Sequence, residues 1–389
     1  MPARRKRLAT YEKIRNSRKA QFMQQKGTSM KKKRFAGIAT AAVAGVLALS
    51  VAGCGGSPEP AGSAADSAST SSYNVQMVTD MGGVNDRSFN QLAWEGLQKL
   101  EKDTGIKVGY TESKQEADYA TNLDKAVDSG AQTVWGIGFA MAGAIHDAAK
   151  TNPDVNFAII DNAYPEKGEE GGLLDNLTGV TFKTQEPSFV AGYIAAMTSE
   201  TGKVGFVGGV KGDVLETFSN GYQAGVAYAN KEAGKNVEVT VQYVDTFTDA
   251  AKGKAAGQKM YSDGCDIVFA CAGNAGNGVI EAAKDAGKLV IGVDKDQYDL
   301  APENMLTSVM KNVDAAVIEV SQKAADGEKI GGQNIELSAK DGAVAISEHH
   351  DLMSDDVYKT AQDLFQQIKD GKIDPPANEK ELAEYKASL

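Results

Sequence analysis

The chain reads as an α/β protein, two doubly wound, parallel-sheet lobes joined by a hinge. Three observations predict this. Short apolar, β-branched runs alternate with amphipathic stretches, which is the pattern of parallel strands covered by helices on both faces. The same rhythm occurs twice along the chain. The globular part, residues 73–389, is roughly 317 residues long, more than one core usually serves.

In the first run, residues 75–78, 106–110, 133–136 and 157–160 are predicted strands, each bounded by Gly, Asn or Asp. Between them, Phe89, Leu92, Ala93, Gly96, Leu97 and Leu100 recur at helical spacing. In the second run, strands at 204–207, 237–243, 267–270 and 289–293 alternate with helices near 217–233, 250–262 and 276–286. A strand at 306–310 and helices at 313–325 and 354–370 follow. Two contiguous lobes would be unequal, and returning the 313–325 helix to the first lobe equalises them. The predicted division is therefore 73–182 plus about 311–340 in lobe 1, and 183–310 plus about 341–389 in lobe 2. More than one crossing between lobes makes a hinge, and ligands of such sheets bind beyond the carboxyl ends of the strands.

Upstream, Met30-Lys31-Lys32-Lys33-Arg34 precedes an apolar stretch, 35–51, that is short for a membrane span. Small residues close it at Val51-Ala52-Gly53-Cys54, so 30–53 reads as a secretory signal. The four residues resemble a bacterial lipobox, which makes Cys54 the lipidated mature N-terminus. An ordinary signal peptide or uncleaved anchor with a chance cysteine is the alternative. Residues 54–72 are a Gly/Ser-rich tether, and 1–29 read as an upstream extension from a mis-assigned start. The expected location is extracytoplasmic, lipid-anchored at the cell membrane.

Residues 1–53 hold 13 of the 41 Lys and Arg but one of the 52 acids, Glu12. The remainder carries 28 bases against 51 acids, a balance that excludes non-specific binding to nucleic acid or anionic lipid. Cys265 and Cys271 share one predicted strand, roughly 20 Å apart if extended. A disulfide needs Cα atoms within about 7 Å. They are expected as free thiols, and His146, His349 and His350 offer no ligand spacing with them, so neither metal nor cofactor is expected.

The strand ends carry the chemistry. The first strand runs into Asp80, then Asn85, Asp86, Ser88 and Phe89. Asp86 or Ser88 suits a helix cap, whereas Asp80 ends the strand before a cap is needed. Phe89 is either core or a ring platform for a ligand. Later strands lead to Phe139, to Asp161, to Gly208-Gly209 with Glu216 beyond, to Phe247, to Gly273, to Asp294 and to Lys311. Taken singly, a glycine-rich turn reads as close packing and a strand-end Asp as a cap. The glycine cluster at 273–278 lacks the full G-x-G-x-x-G spacing, and no G-x-x-x-x-G-K-[ST] loop occurs. With acids around the cleft, a phosphate ligand is disfavoured. A hydrolase is disfavoured too, since there is no G-x-S-x-G elbow and His146 has no visible nucleophile partner.

The residues 80–89, Phe206-Val207-Gly208-Gly209, Ala250-Ala251-Lys252-Gly253, the 273–278 cluster with Ala282-Ala283-Lys284, Gly292-Val293-Asp294-Lys295-Asp296-Gln297, Thr307-Ser308-Val309-Met310-Lys311 and Asp370-Gly371-Lys372-Ile373 follow one another in order. In this the chain resembles the basic membrane protein (BMP) lipoprotein family across nearly all of 73–376. The resemblance implies a type I periplasmic-binding-protein fold, no enzymatic activity, and service as the binding component that hands purine nucleosides to an ABC permease; a monomer is expected. Carried over by residue, it implies that Phe89 and Phe247 sandwich the base. Asp80 and Asp161 would contact its polar edge, Asp294 and Lys311 hold the ribose hydroxyls, and Gly273 lets backbone approach the sugar. Asn85 stands where many relatives have an acid; Asn85, Phe139 and Glu216 are further candidates. The competing readings are another neutral ligand, a sugar or autoinducer-like molecule, and a surface antigen or adhesin.

The lipobox makes a direct prediction. Cys54→Ser should release the protein into the medium or leave it unprocessed, read by fractionation and mass spectrometry of the N-terminus. Unchanged processing and membrane retention would sink the assignment.

Overall fold

The computed structural model describes residues 73–389; the predicted signal, tether and Cys54 lie outside the described residues. The chain begins β1 (Asn74–Thr79), α1 (Phe89–Thr104), β2 (Lys107–Thr111), α2 (Asp118–Asp128), β3 (Thr133–Ile137), α3 (Ala142–Thr151), β4 (Asn156–Ile160) and β5 (Leu177–Phe182). It continues through α4 (Gln185–Thr198), β6 (Lys203–Gly208), α5 (Asp213–Ala233), β7 (Glu238–Tyr243), α6 (Ala250–Ser262), β8 (Ile267–Cys271), α7 (Gly273–Ala286), β9 (Leu289–Asp294) and β10 (Met305–Lys311). The last elements are α8 (Val313–Ala325), β11 (Gln333–Leu337), β12 (Val344–Ile346), α9 (Asp355–Lys369) and α10 (Glu379–Ser388).

Two six-stranded sheets result, ordered β11-β5-β4-β3-β1-β2 and β12-β10-β9-β8-β6-β7. The first is wholly parallel, and the second is parallel except for β12, which runs antiparallel to β10. This is the α/β architecture that the alternating pattern predicts. The chain passes between the sheets after β5, after β10 and again between β11 and β12. Central strands β3 and β8 are buried at every position, as parallel strands covered on both faces must be.

Several elements were not predicted, β12 and α10 among them, and three others have a plain physical reason. Helix α4 is buried at every position from Gln185 to Ala196, so it has no exposed face and no helical periodicity to read. Strand β5, Leu-Thr-Gly-Val-Thr-Phe, is interrupted by a glycine, and β11 is an edge strand of mixed polarity with exposed residues.

The helices against the second sheet approach so closely that side chains do not fit between them. A Cβ on Gly225 of α5 would lie 1.8 Å from the carbonyl oxygen of Phe189 on α4. On α7, a Cβ at Gly278 would lie 1.9 Å from the carbonyl of Ala250 on α6. Part of the 273–278 glycine cluster therefore serves packing. Cys265 and Cys271 are free and buried.

Gly225→Ala should destabilise the protein by about 1–3 kcal/mol, as overpacking does in other cores. Gly143→Ala on α3, where an added Cβ meets nothing within 4 Å, should be neutral or slightly stabilising. Denaturant unfolding of both variants checks the contrast.

Candidate functional site

The carboxyl ends of strands from both sheets face one cavity of about 300 Å³. Asp80, Phe89, Phe139 and Asp161 line it from the first sheet's side, and Phe247, Gly273, Asp294 and Lys311 from the second's. Of the sequence-derived candidates, Asn85 is exposed outside the cavity lining, and Glu216 turns to Lys211 at 3.1 Å.

At the centre is a buried ion cluster. Lys311, 2% exposed at the end of β10, donates to Asp161 Oδ2 at 2.7 Å and lies 3.9 Å from Asp294 Oδ1. Ser88 Oγ donates to the other oxygen of Asp294. Asp161 and Asp294 follow and end β4 and β9 with φ of 69° and 67°. Asp tolerates this left-handed region better than most residues, and the turn aims each carboxylate inward. Burial pulls the lysine down, but Asp161 and Asp294 together outweigh it and hold it above the ordinary lysine value. Burial pushes Asp294 up to about 6 despite Lys311 and the Ser88 bond. Asp161, which the resemblance assigns to the polar edge of the base, is ion-paired with Lys311.

Asp80 is a second acid centre. Its Oδ1 accepts from the Gly82 N–H and from Asn90 Nδ2, both at 2.8 Å. Burial still outweighs these bonds and lifts it to about 6. The capping question resolves in favour of Asp86, which accepts from the N–H groups of Ser88, Asn90 and Gln91 at 2.9, 2.9 and 3.1 Å. Ser88 is thereby left free to reach Asp294.

The aromatic faces differ in their support. Phe247 lies where a Cβ on Gly209 would sit 2.2 Å from its ring, so Gly209 makes room for it, while Gly208 makes room for Tyr243. Phe139 meets Phe247 edge-on, with centroids 6.2 Å apart. Phe89 carries the Lys311 ammonium 4.5 Å from its ring centre and also packs against the hydrophobic core beneath the first sheet. It is both core and cleft wall. Gly273 adopts φ of 53° at the start of α7, beside the Phe247 carbonyl.

Sequence reasoning missed Asn90 and Tyr119, which also line the cavity. Asn90 and Tyr119 are each 2% exposed, and Asn90 Oδ1 and the Tyr119 hydroxyl have no hydrogen-bond partner among the described residues. Burial, with Asp80 and Glu116 nearby, pushes Tyr119 up to about 12, so it stays a neutral phenol. Their positions inside amphipathic helices look like ordinary interior positions in a sequence. The available signal was polarity on a buried helix face. Among the described residues no cluster of His, Cys, Asp and Glu could hold a metal, and no helix is long and apolar enough to cross a membrane.

Comparison with known proteins gives a consistent assignment. Residues 73–379 match the family model described as Bmp, ABC transporter substrate-binding protein PnrA-like. A CD4+ T-cell-stimulating antigen from Listeria innocua is 39% identical, covering 89% of this chain and 99% of its own length. The ABC transporter nucleoside-binding protein BmpA of Lactococcus lactis is 36% identical, with the same two shares, 89% and 99%. A crystal structure of an ABC transporter system solute-binding protein from Aeropyrum pernix K1 superposes with a TM-score of 0.73 at 25% identity, covering 81% of this chain and 98% of that one. The architecture is thus the type I fold of periplasmic solute-binding proteins.

Asp80 yields a signed pH effect. Its folded pKa of about 6 against 3.8 unfolded means that the folded protein holds the proton more tightly. Its contribution to stability is lost as pH rises from about 4 through 6, by as much as about 3 kcal/mol. Asp80→Asn keeps an acceptor for Gly82 and Asn90 and should melt with the wild type near about pH 4 but several degrees higher near about pH 7.5. Equal melting temperatures at both pH values would show that the carboxylate is not held at a cost.

Proposed function

Since the chain belongs to the Bmp family of PnrA-like ABC transporter substrate-binding proteins, a family of binding components and not of enzymes, we propose that it binds purine nucleosides in its interlobe cleft and delivers them to an importer. The observation that carries this reading is the meeting, in one cavity, of aromatic rings with a buried Asp161–Lys311–Asp294 cluster. A nucleoside has both matching parts. Its base presents an apolar π-face, and stacking on aromatic side chains contributes about 1–3 kcal/mol per base. Its ribose is neutral but has vicinal hydroxyls, which suit a carboxylate acceptor beside an ammonium donor, each bond contributing roughly 1.5–3 kcal/mol.

In this reading Phe247 and Phe89 take the base between them, Asp80 meets its polar edge, and Asp294 with Lys311 and Asp161 holds the sugar. Gly273 allows close backbone approach, and Phe139 braces Phe247. The excess of carboxylates repels a phosphate, so nucleosides are selected over nucleotides by charge as well as shape. The protein would act as a monomer outside the cytoplasm, anchored through a lipid on Cys54 beside its permease.

Isothermal titration separates the roles. Phe247→Ala should weaken inosine and hypoxanthine alike, by about 1–3 kcal/mol. Asp294→Ala should weaken inosine and leave the feebler hypoxanthine nearly unchanged, because the free base has no hydroxyls. Equal losses for both ligands would remove Asp294 from the ribose. Inosine 5′-monophosphate binding as tightly as inosine would overturn the nucleoside reading itself.

A further inference from the structure

Four side chains that do not line the cavity join the lobes beside it. Lys295, just past β9, reaches across to Glu95 on α1 and donates to both carboxylate oxygens, at 3.0 and 2.7 Å. Gln91, one turn earlier on α1, donates to the same carboxylate at 2.7 Å and fixes its direction. Asn277 on α7 donates to the backbone carbonyl of Asp86 at 3.0 Å. Gln297 donates to the next carbonyl, that of Arg87, at 3.1 Å. Arg87 has φ of 57°, so the loop before α1 makes a left-handed turn where the second lobe grips it.

These groups are prepared on their own side of the cleft. Gln297 is 4% exposed; its Oε1 accepts from the Val293 N–H at 2.9 Å, and its own N–H donates to Ser308 Oγ at 3.1 Å. Asn277 is braced by Asn274 at 3.0 Å. Each is therefore held by its own lobe and spends its remaining donor on the other. Closing the cleft brings Asp294 toward the carboxylates of Asp86 and Asp161 and at the same time joins Lys311 to Asp161. The contacts outside the cavity add to those inside it in holding the lobes together.

We propose that Glu95, Asn277, Lys295 and Gln297 form a closure clasp that sets how long a ligand remains in the cleft without touching it. The proposal rests on the nucleoside reading only for the choice of probe. Positioning residues of this kind change how fast the cleft reopens more than how fast it is found, so their effect falls on dissociation. They also act alike on every ligand, because none of them meets the guest.

The test uses stopped-flow binding of inosine and guanosine with charge reversal across the clasp. Lys295→Glu and Glu95→Lys should each raise the dissociation rate about tenfold, with association changed less than about twofold, and the double reversal should recover most of the loss. Asn277→Ala should raise dissociation of both nucleosides by the same factor, about threefold. In parallel, amide hydrogen exchange over residues 84–88 of the ligand-free protein should quicken in the single reversals and slow again in the double. Single variants that release both ligands at the wild-type rate, or a double reversal no slower than the singles, would overturn the clasp. If neither nucleoside binds even the wild type, the nucleoside reading fails. The exchange measurement then decides the clasp alone: unchanged exchange in the single reversals refutes it, and rescue by the double supports it.

Discussion

Lys311 ends a strand of the second sheet, yet its ammonium is bonded to Asp161 at the end of a strand in the first. Around it lie Asp294, the ring of Phe89 and, beyond, the rings of Phe182 and Phe218. A lysine so deeply buried is tolerable only when paired, and breaking such a pair commonly costs 3–5 kcal/mol, on the order of what a whole domain can spare. Much of the local architecture follows from keeping it paired. The left-handed Asp161 and Asp294 turn their carboxylates toward it, and Ser88 occupies the second oxygen of Asp294. Because β10 leads directly into α8, which packs on α1, the same residue sits at a passage between the lobes.

One cation does not balance the carboxylates gathered there. Asp80, Asp86, Asp161 and Asp294 all reach the cavity wall, and the two whose values rise to about 6 are those for which burial outweighs their partners. Asp161 has the lysine, and Asp86 is saturated by backbone N–H groups. Asp80 and Asp294 therefore hold acceptor capacity that desolvation makes costly to leave unused. A guest with hydroxyl or N–H donors relieves that cost, whereas an anionic guest increases it.

How much of this was legible in the sequence depended on whether a residue's role is local. Asp80, Asp161, Asp294 and Lys311 terminate apolar strand patterns, and the rule that parallel sheets bind beyond their carboxyl ends places such residues at a common rim. Their environment is written in the few residues before them. Asn90 and Tyr119 are different, since their polarity matters only because the helices that carry them turn those positions inward. Asn85 and Glu216 sit near strand ends in sequence but turn away, one into solvent and one to Lys211. Helix α4 was illegible for the opposite reason: it is buried all round, because α5 and α9 cover it as well as the sheet.

The contacts that join the lobes were the least legible of all, and the reason is general. Asn277 and Gln297 donate to backbone carbonyls, which every residue has, so nothing at positions 86 and 87 marks them as recipients. Lys295 and Glu95 are ordinary surface charges until two separately folded sheets bring them within bonding distance. Motifs report groups that a ligand touches, because ligand chemistry restricts residue type. A group that acts only on the equilibrium between open and closed lobes has no such restriction; any donor of the right reach would serve. In the proposed reading the cavity residues choose which molecule is held, and because Glu95, Asn277, Lys295 and Gln297 lie outside the cavity lining, how firmly the two halves hold together can change without changing that choice.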